Sequence, residues 1–122
     1  MSNLVNWVEI PAGNFKRAVQ FYKTILGVDI HEADMFGTKM GFFPRSEKGV
    51  SGAIVVGEGY TPSYEGTTVY LNGGDDLQTI LDRISKTEGK IIVPKTQISP
   101  EMGFFAMFLD SEGNKMALHS MN

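Results

Sequence analysis

Two ionisable side chains stand where they could do chemistry: Glu9, late in the run Leu4 to Ile10, and His119, near the end of the closing stretch Gly103 to Ser120. A carboxylate and an imidazole can serve as general base and acid, or can anchor a polar ligand. In an alternating strand, residues two apart share a face. Glu9 therefore points with Val5 and Trp7, and His119 points with Ala117. Plainer roles compete with these. Glu9 at a strand end can pair with a lysine or arginine, and His119 can bond a backbone carbonyl. His31, in the polar run His31-Glu32-Ala33-Asp34, reads as solvated surface, because that spacing is not one metal ligands use. Apolar candidates for ligand contact are Trp7, Met40, Phe42, Tyr70, Phe105 and Met107, all on predicted strands. Seven methionines suit an adaptable apolar surface. Roughly half of the set is expected in the core, with Trp7 and Phe105 the better pocket residues.

The rest of the composition narrows the partners. With 122 residues, 42% apolar and 20% charged, the chain has the size and make-up of one globular domain. A net charge of −3 and a pI near 5.3 supply no basic surface for nucleic acid. The chain has no cysteine, so it offers no disulfide, thiolate ligand or thiol nucleophile, which suits a cytoplasmic location. No apolar run reaches the roughly 20 residues that span a bilayer. The opening MSNLVNWVEIP lacks the pattern of a signal peptide.

The elements that must position these residues follow from periodicity. Leu4 to Ile10 reads as a strand. Phe15, Ala18, Val19, Tyr22, Ile25 and Leu26 fall at helical spacing, with Asn14 as N-cap and Gly27 past the end. Val28 to Ala33, Thr38 to Phe43 and Val50 to Val56 read as three strands. Gly57 to Gly66, GEGYTPSYEG, has no periodicity and reads as a linker that can also serve as a lid. Thr67 to Asn72 restarts the pattern as a strand. Gly73 to Asp76 supplies turn and cap residues for a helix carrying Leu77, Ile80, Leu81 and Ile84, and Gly89 closes the turn after it. Lys90 to Val93, Phe104 to Leu109 and Lys115 to Ser120 are the last strands, with a polar loop over Pro94 to Met102. Leu77 answers Phe15, Gly89 answers Gly27 and Gly103 answers Gly41, each 62 positions on. One offset at three anchors indicates an internal duplication. The fold class is α+β, with two tandem βαβββ modules: about 4–56, a linker at about 57–66, and about 67–120.

Two stretches carry a resemblance. Phe15-Lys16-Arg17-Ala18-Val19-Gln20-Phe21-Tyr22 leads to Leu26-Gly27, and Phe108-Leu109-Asp110-Ser111-Glu112-Gly113-Asn114 stands near the end. With the paired modules, they resemble the vicinal-oxygen-chelate superfamily of glyoxalase I, bleomycin-resistance proteins, fosfomycin-resistance enzymes and extradiol dioxygenases. The opening VEIP and closing ALHS are most similar to a subgroup related to lactoylglutathione lyase. The resemblance implies a paired, cleft-bearing mixed sheet with Glu9 and His119 on the cleft wall, and a homodimer. It also implies one divalent ion held by His, Glu or Gln side chains from the first and fourth strands of each module. Those positions fall at Val5 (or Trp7 in a slid alignment), Ala53, Thr67 and Ala117. Valine, tryptophan and alanine have no donor atom for such an ion, and a threonine hydroxyl is a weak one. The expectation is a protein that binds a small molecule in an apolar cleft without metal or other cofactor, with neither nucleic acid nor membrane as partner. One alternative is a metal-dependent lyase or isomerase of the lactoylglutathione-lyase type; another is an interaction module without a ligand.

Overall fold

The first helix shows how local sequence builds this fold. Asn14 is extended (φ −125°, ψ 107°) and its Oδ1 accepts the Arg17 N–H at 3.1 Å, satisfying one orphan donor at the helix start. Ala18, Val19, Phe21, Tyr22 and Ile25 are buried. Gly27 then turns left-handed (φ 65°), and its N–H closes on the Lys23 carbonyl at 2.9 Å. This helix, α1, spans Phe15–Leu26. The computed structural model describes residues 3–122. Two compact units divide between Pro62 and Ser63.

In the first unit β1 (Trp7–Pro11) precedes α1, and β2 (His31–Met35), β3 (Thr38–Phe42) and β4 (Ser51–Val56) follow it. The sheet order is β1-β4-β3-β2. β1 lies parallel to β4, while the β4/β3 and β3/β2 pairs are antiparallel. The second unit repeats this plan with β5 (Tyr70–Asn72), α2 (Gln78–Ile84), β6 (Lys90–Ser99), β7 (Gly103–Leu109) and β8 (Lys115–Ser120), in the order β5-β8-β7-β6. The fold is therefore α+β, two βαβββ modules each with a mixed four-stranded sheet. No described helix is long and apolar enough to cross a membrane.

Each sheet has one face under its helix. Gly41 lies beneath α1, where an added Cβ would touch Val19 and Ile30, and Ile10 and Ile54 share that face by register. In the second unit the Ser120 hydroxyl accepts the Leu77 N–H at 3.0 Å, so α2 begins over the face that carries Met116, Leu118 and Ser120. The buried Ala106 and Phe108 pair onto it.

Three expectations need correction. β6 continues through Pro94 to Ser99 where a loop is expected. It is an edge strand with register shifts between Ile91 and Ser99, and edges and bulges are where a strand accommodates proline. The repeat is also out of phase in its later strands. Gly41 pairs with Ile54 and Ala106 with Leu118, and these partners occupy matching places beside Ile10 and Leu71. Ala106, not Gly103, is thus the counterpart of Gly41. Gly89, matched to Gly27 by the repeat, is not a helix cap as Gly27 is: α2 ends at Ile84 with Ser85 as its cap in the right-handed region, and Gly89 follows the turn after it.

The Asp-Ser-Glu-Gly-Asn turn between β7 and β8 is structural. Asp110 Oδ1 accepts the N–H groups of Glu112 and Asn114 at 2.8 and 2.9 Å, and Oδ2 accepts the Asn114 amide at 2.9 Å. Asn114 Oδ1 in turn accepts the Ser63 N–H at 3.0 Å.

Asp76 supplies the other notable charge contact, its Oδ1 accepting from Lys95 Nζ at 2.8 Å and from the Gln78 N–H at 2.9 Å. These bonds, Lys95 first, hold its carboxyl below the ordinary 3.8. A depressed carboxyl stabilises the fold above its unfolded pKa, and that contribution disappears as pH falls through the folded value. Urea unfolding of the protein and of Asp76→Asn should therefore differ by a constant amount above about pH 5 and begin to converge as pH falls below about 4. A gap undiminished at pH 3 would contradict the assignment.

Candidate functional site

The candidate residues collect on the faces turned away from the helices. In the first unit one cross-strand row runs through all four strands: His31 opposite Phe42, Phe42 opposite Ala53, and Ala53 opposite Glu9. Trp7 lies two residues before Glu9 on the same face, and Met40 lies opposite Val55 in the next row. β1 and β3 flank β4, so their backbones are about 10 Å apart. The rings of Trp7 and Phe42 nevertheless approach to 6.1 Å between centroids, tilted by 50°. They meet above β4, where Ala53 is fully buried. A small residue between two large ones permits that closure. His31 stacks on Phe42 at 6.4 Å and 30°. It extends the aromatic surface, although its exposure agrees with the solvated reading.

Glu9 caps this surface, and its position is fixed by two donors. Trp7 Nε1 donates to Oε2 at 3.4 Å, and the Tyr60 hydroxyl donates to Oε1 at 2.7 Å. The turn after β4, with the Tyr60 N–H on the Gly57 carbonyl at 3.2 Å, brings Tyr60 back onto β1. Its bond to the carboxylate, then repulsion from that charge, raises the Tyr60 phenol above its ordinary value, because ionisation would break the bond. Tyr60 is the residue that sequence reasoning missed. It lies in the tyrosine- and glycine-rich stretch read as a linker and lid, but nothing local names Glu9, 51 residues away, as its partner.

In the second unit two rows matter. Tyr70 lies opposite Ala117 and Ala117 opposite Met107; Asn72 lies opposite His119 and His119 opposite Phe105. Tyr70, Leu71, Asn72 and His119 line an open depression of about 450 Å³. His119 Nε2 contacts the Met102 carbonyl at 2.7 Å. A carbonyl only accepts, so Nε2 carries the proton, and in the neutral ring Nδ1 is the acceptor. The backbone-bonded histidine foreseen as its plainer role is what the structure contains. Glu9 belongs to the first unit and His119 to the second, and their hydrogen-bond partners lie in their own units.

The positions implied for a divalent ion do not fit one. Val5 and Thr67 precede β1 and β5, and both are exposed. The residues opposite Ala53 and Ala117 are Glu9 and Tyr70, so Val5 and Thr67 are out of register with them. Ala53 and Ala117 are fully buried and present only a methyl group. Among the described residues, no three His, Cys, Asp or Glu side chains gather in an arrangement that could hold a metal.

The chain has relatives that share this plan. A protein of Didymella fabae, described as a glyoxylase-like domain-containing protein, is 29% identical over 93% of this chain and 91% of its own. An antibiotic binding protein from Streptomyces sp. CB03234 superposes with a TM-score of 0.67 at 21% identity, covering 100% of this chain and 99% of that one. A glyoxalase I mutant from Zea mays gives a TM-score of 0.69 at 17% identity; 94% of this chain covers 45% of that one, so the present chain spans less than half its length. At these identities the two structures establish likeness of fold. The family profile matches residues 4–118, and the chain belongs to the Glyoxalase/Bleomycin resistance protein/Dioxygenase superfamily.

Proposed function

We propose that this protein binds a small molecule on its helix-free sheet faces, without the divalent ion that the family's metal-dependent members use. The carrying observation is the closure of Trp7 and Phe42 above the buried Ala53. At one implied ligand position the chain has a buried methyl group in place of a donor, and the aromatic rings over it supply the apolar contact surface. Ala117 repeats the methyl group on the second sheet. Trp7, Phe42 and Met40 form the contact surface of the first unit, and Tyr70, Phe105 and Met107 that of the second. Aromatic and methionine side chains give large, adaptable contact with few polar constraints. Glu9 and His119 supply the polar contacts, Glu9 as a carboxylate and His119 through Nδ1. The Streptomyces relative, an antibiotic binding protein, supports capture of a ligand as a use of this fold. Open sheet edges favour a homodimer, which sedimentation analysis would detect. The absence of cysteine suits the cytoplasm.

The test is elemental analysis and native mass spectrometry on protein purified without chelator. Well under one metal ion per chain is expected, with any retained mass an organic compound. One stoichiometric Ni, Zn, Mn or Fe per chain would overturn the metal-free reading and favour a lactoylglutathione-lyase type enzyme.

A further inference from the structure

Glu9 has an unusual setting for a surface carboxylate. It is exposed, yet each of its oxygens already accepts a hydrogen bond, one from Tyr60 and one from Trp7. No described basic residue forms an ion pair with it. Its neighbours on the face are aromatic: Trp7, 39% exposed, then Phe42, then His31 stacked on Phe42. The face thus runs from a flat apolar surface to a single fixed negative charge.

Those properties select a ligand by chemistry. A carboxylate offers about four lone-pair directions, and here two are taken, leaving room for further N–H donors. The donors from Trp7 and Tyr60 hold the group in place without neutralising it, since both are uncharged. Aromatic faces attract cations as well as apolar groups, and the attraction grows as the cation loses water. An anion meets repulsion from Glu9, and a neutral apolar molecule gains nothing from it.

We infer that the Trp7–Glu9–Tyr60 cluster, extended by Phe42, binds an organic ammonium ion. The charged nitrogen donates to Glu9 while the apolar body of the ligand lies along the Trp7 and Phe42 rings. This rests on the reading that the helix-free face of the first sheet is a binding face, and adds the class of ligand. Tyr60 completes the cluster from the turn after β4, so the carboxylate of β1 is held by a segment outside the sheet.

The experiment uses the sole tryptophan, whose indole N–H gives one side-chain cross-peak in a ¹H–¹⁵N spectrum. Phenylbutylammonium, phenylbutanol and phenylbutyrate are titrated into the full chain at about 0.15 M salt, where exposed charges still interact over about 8 Å. The ammonium is expected to shift the Trp7 indole resonance saturably and about fivefold more tightly than the alcohol, with the butyrate weakest. Glu9→Gln, which retains an oxygen acceptor for Tyr60, should abolish the preference for the ammonium. Equal binding of ammonium and alcohol would overturn the ammonium assignment while leaving the apolar face standing. No shift with any of the three would overturn both. Should Glu9→Gln fail to fold, the ranking of the three probes on the unaltered protein decides the question.

Discussion

Asp110→Ala is expected to lower stability by about 3 kcal/mol and the thermal midpoint by roughly 10 °C. The carboxylate is 4% exposed and accepts hydrogen bonds from the turn backbone at Glu112 and Asn114 and from the side chain of Asn114, itself buried. Removing it strands those donors, and each buried orphan costs about 1–3 kcal/mol, less than additively within one network. Asn114 would also lose the bond that orients its Oδ1 toward Ser63. Asp110→Asn keeps one acceptor oxygen and should lose about half as much. Urea unfolding with an unchanged slope reads both effects. A loss below about 1 kcal/mol for the alanine variant would mean that the turn is held by its backbone bonds alone. The β7–β8 hairpin positions Phe105, Met107, Ala117 and His119, so the same variant should also broaden the signals of that face.

Gly52→Ala should be as damaging, for a steric reason. Gly52 lies opposite Val8 in the parallel β1/β4 pair, and an added Cβ would run into the Val8 carbonyl. Backbone cannot swing aside as a side chain can, so β1 must shift. We expect a loss of about 3 kcal/mol. Because β1 is an edge strand held in the sheet by β4, the shift should separate Trp7 from Phe42 and redden the emission of the single tryptophan. Native stability and unchanged emission would refute the parallel register.

Much of the fold was legible because its signals are local. The Asn14 cap, the buried stripe and Gly27 lie within one short segment, and each acts on backbone groups a few residues away. β8 spans Lys115–Ser120 as its pattern predicts. β6 runs on where a loop is expected because Pro94 forbids a hydrogen bond only if the strand is paired on that side, and edge position is a property of the whole sheet. The repeat misled for a related reason. Gly41 is small because α1 lies over it, whereas Gly103 takes a left-handed conformation at the start of β7 (φ 82°). Like residues served unlike needs.

The site divides along the same line. Alternation alone placed Trp7 with Glu9 and Ala117 with His119 on common faces, because strand geometry fixes which side a residue takes. Alternation is silent on partners across strands, since register is set by hydrogen bonds between segments far apart in the chain. The Phe42–Ala53–Glu9 row, the aromatic closure above Ala53, the Tyr60 bond to Glu9 and the Met102 carbonyl on His119 all depend on that register or on loop return. The two βαβββ modules, and the lack of any donor atom in the side chains of Ala53 and Ala117, could be read from the residues alone, because element type and side-chain chemistry are carried locally. That the Trp7 ring meets Phe42 and the Tyr60 phenol reaches Glu9 depends on the folded chain, because strand pairing brings residues 7 and 42 together and the turn after β4 returns residue 60 to β1.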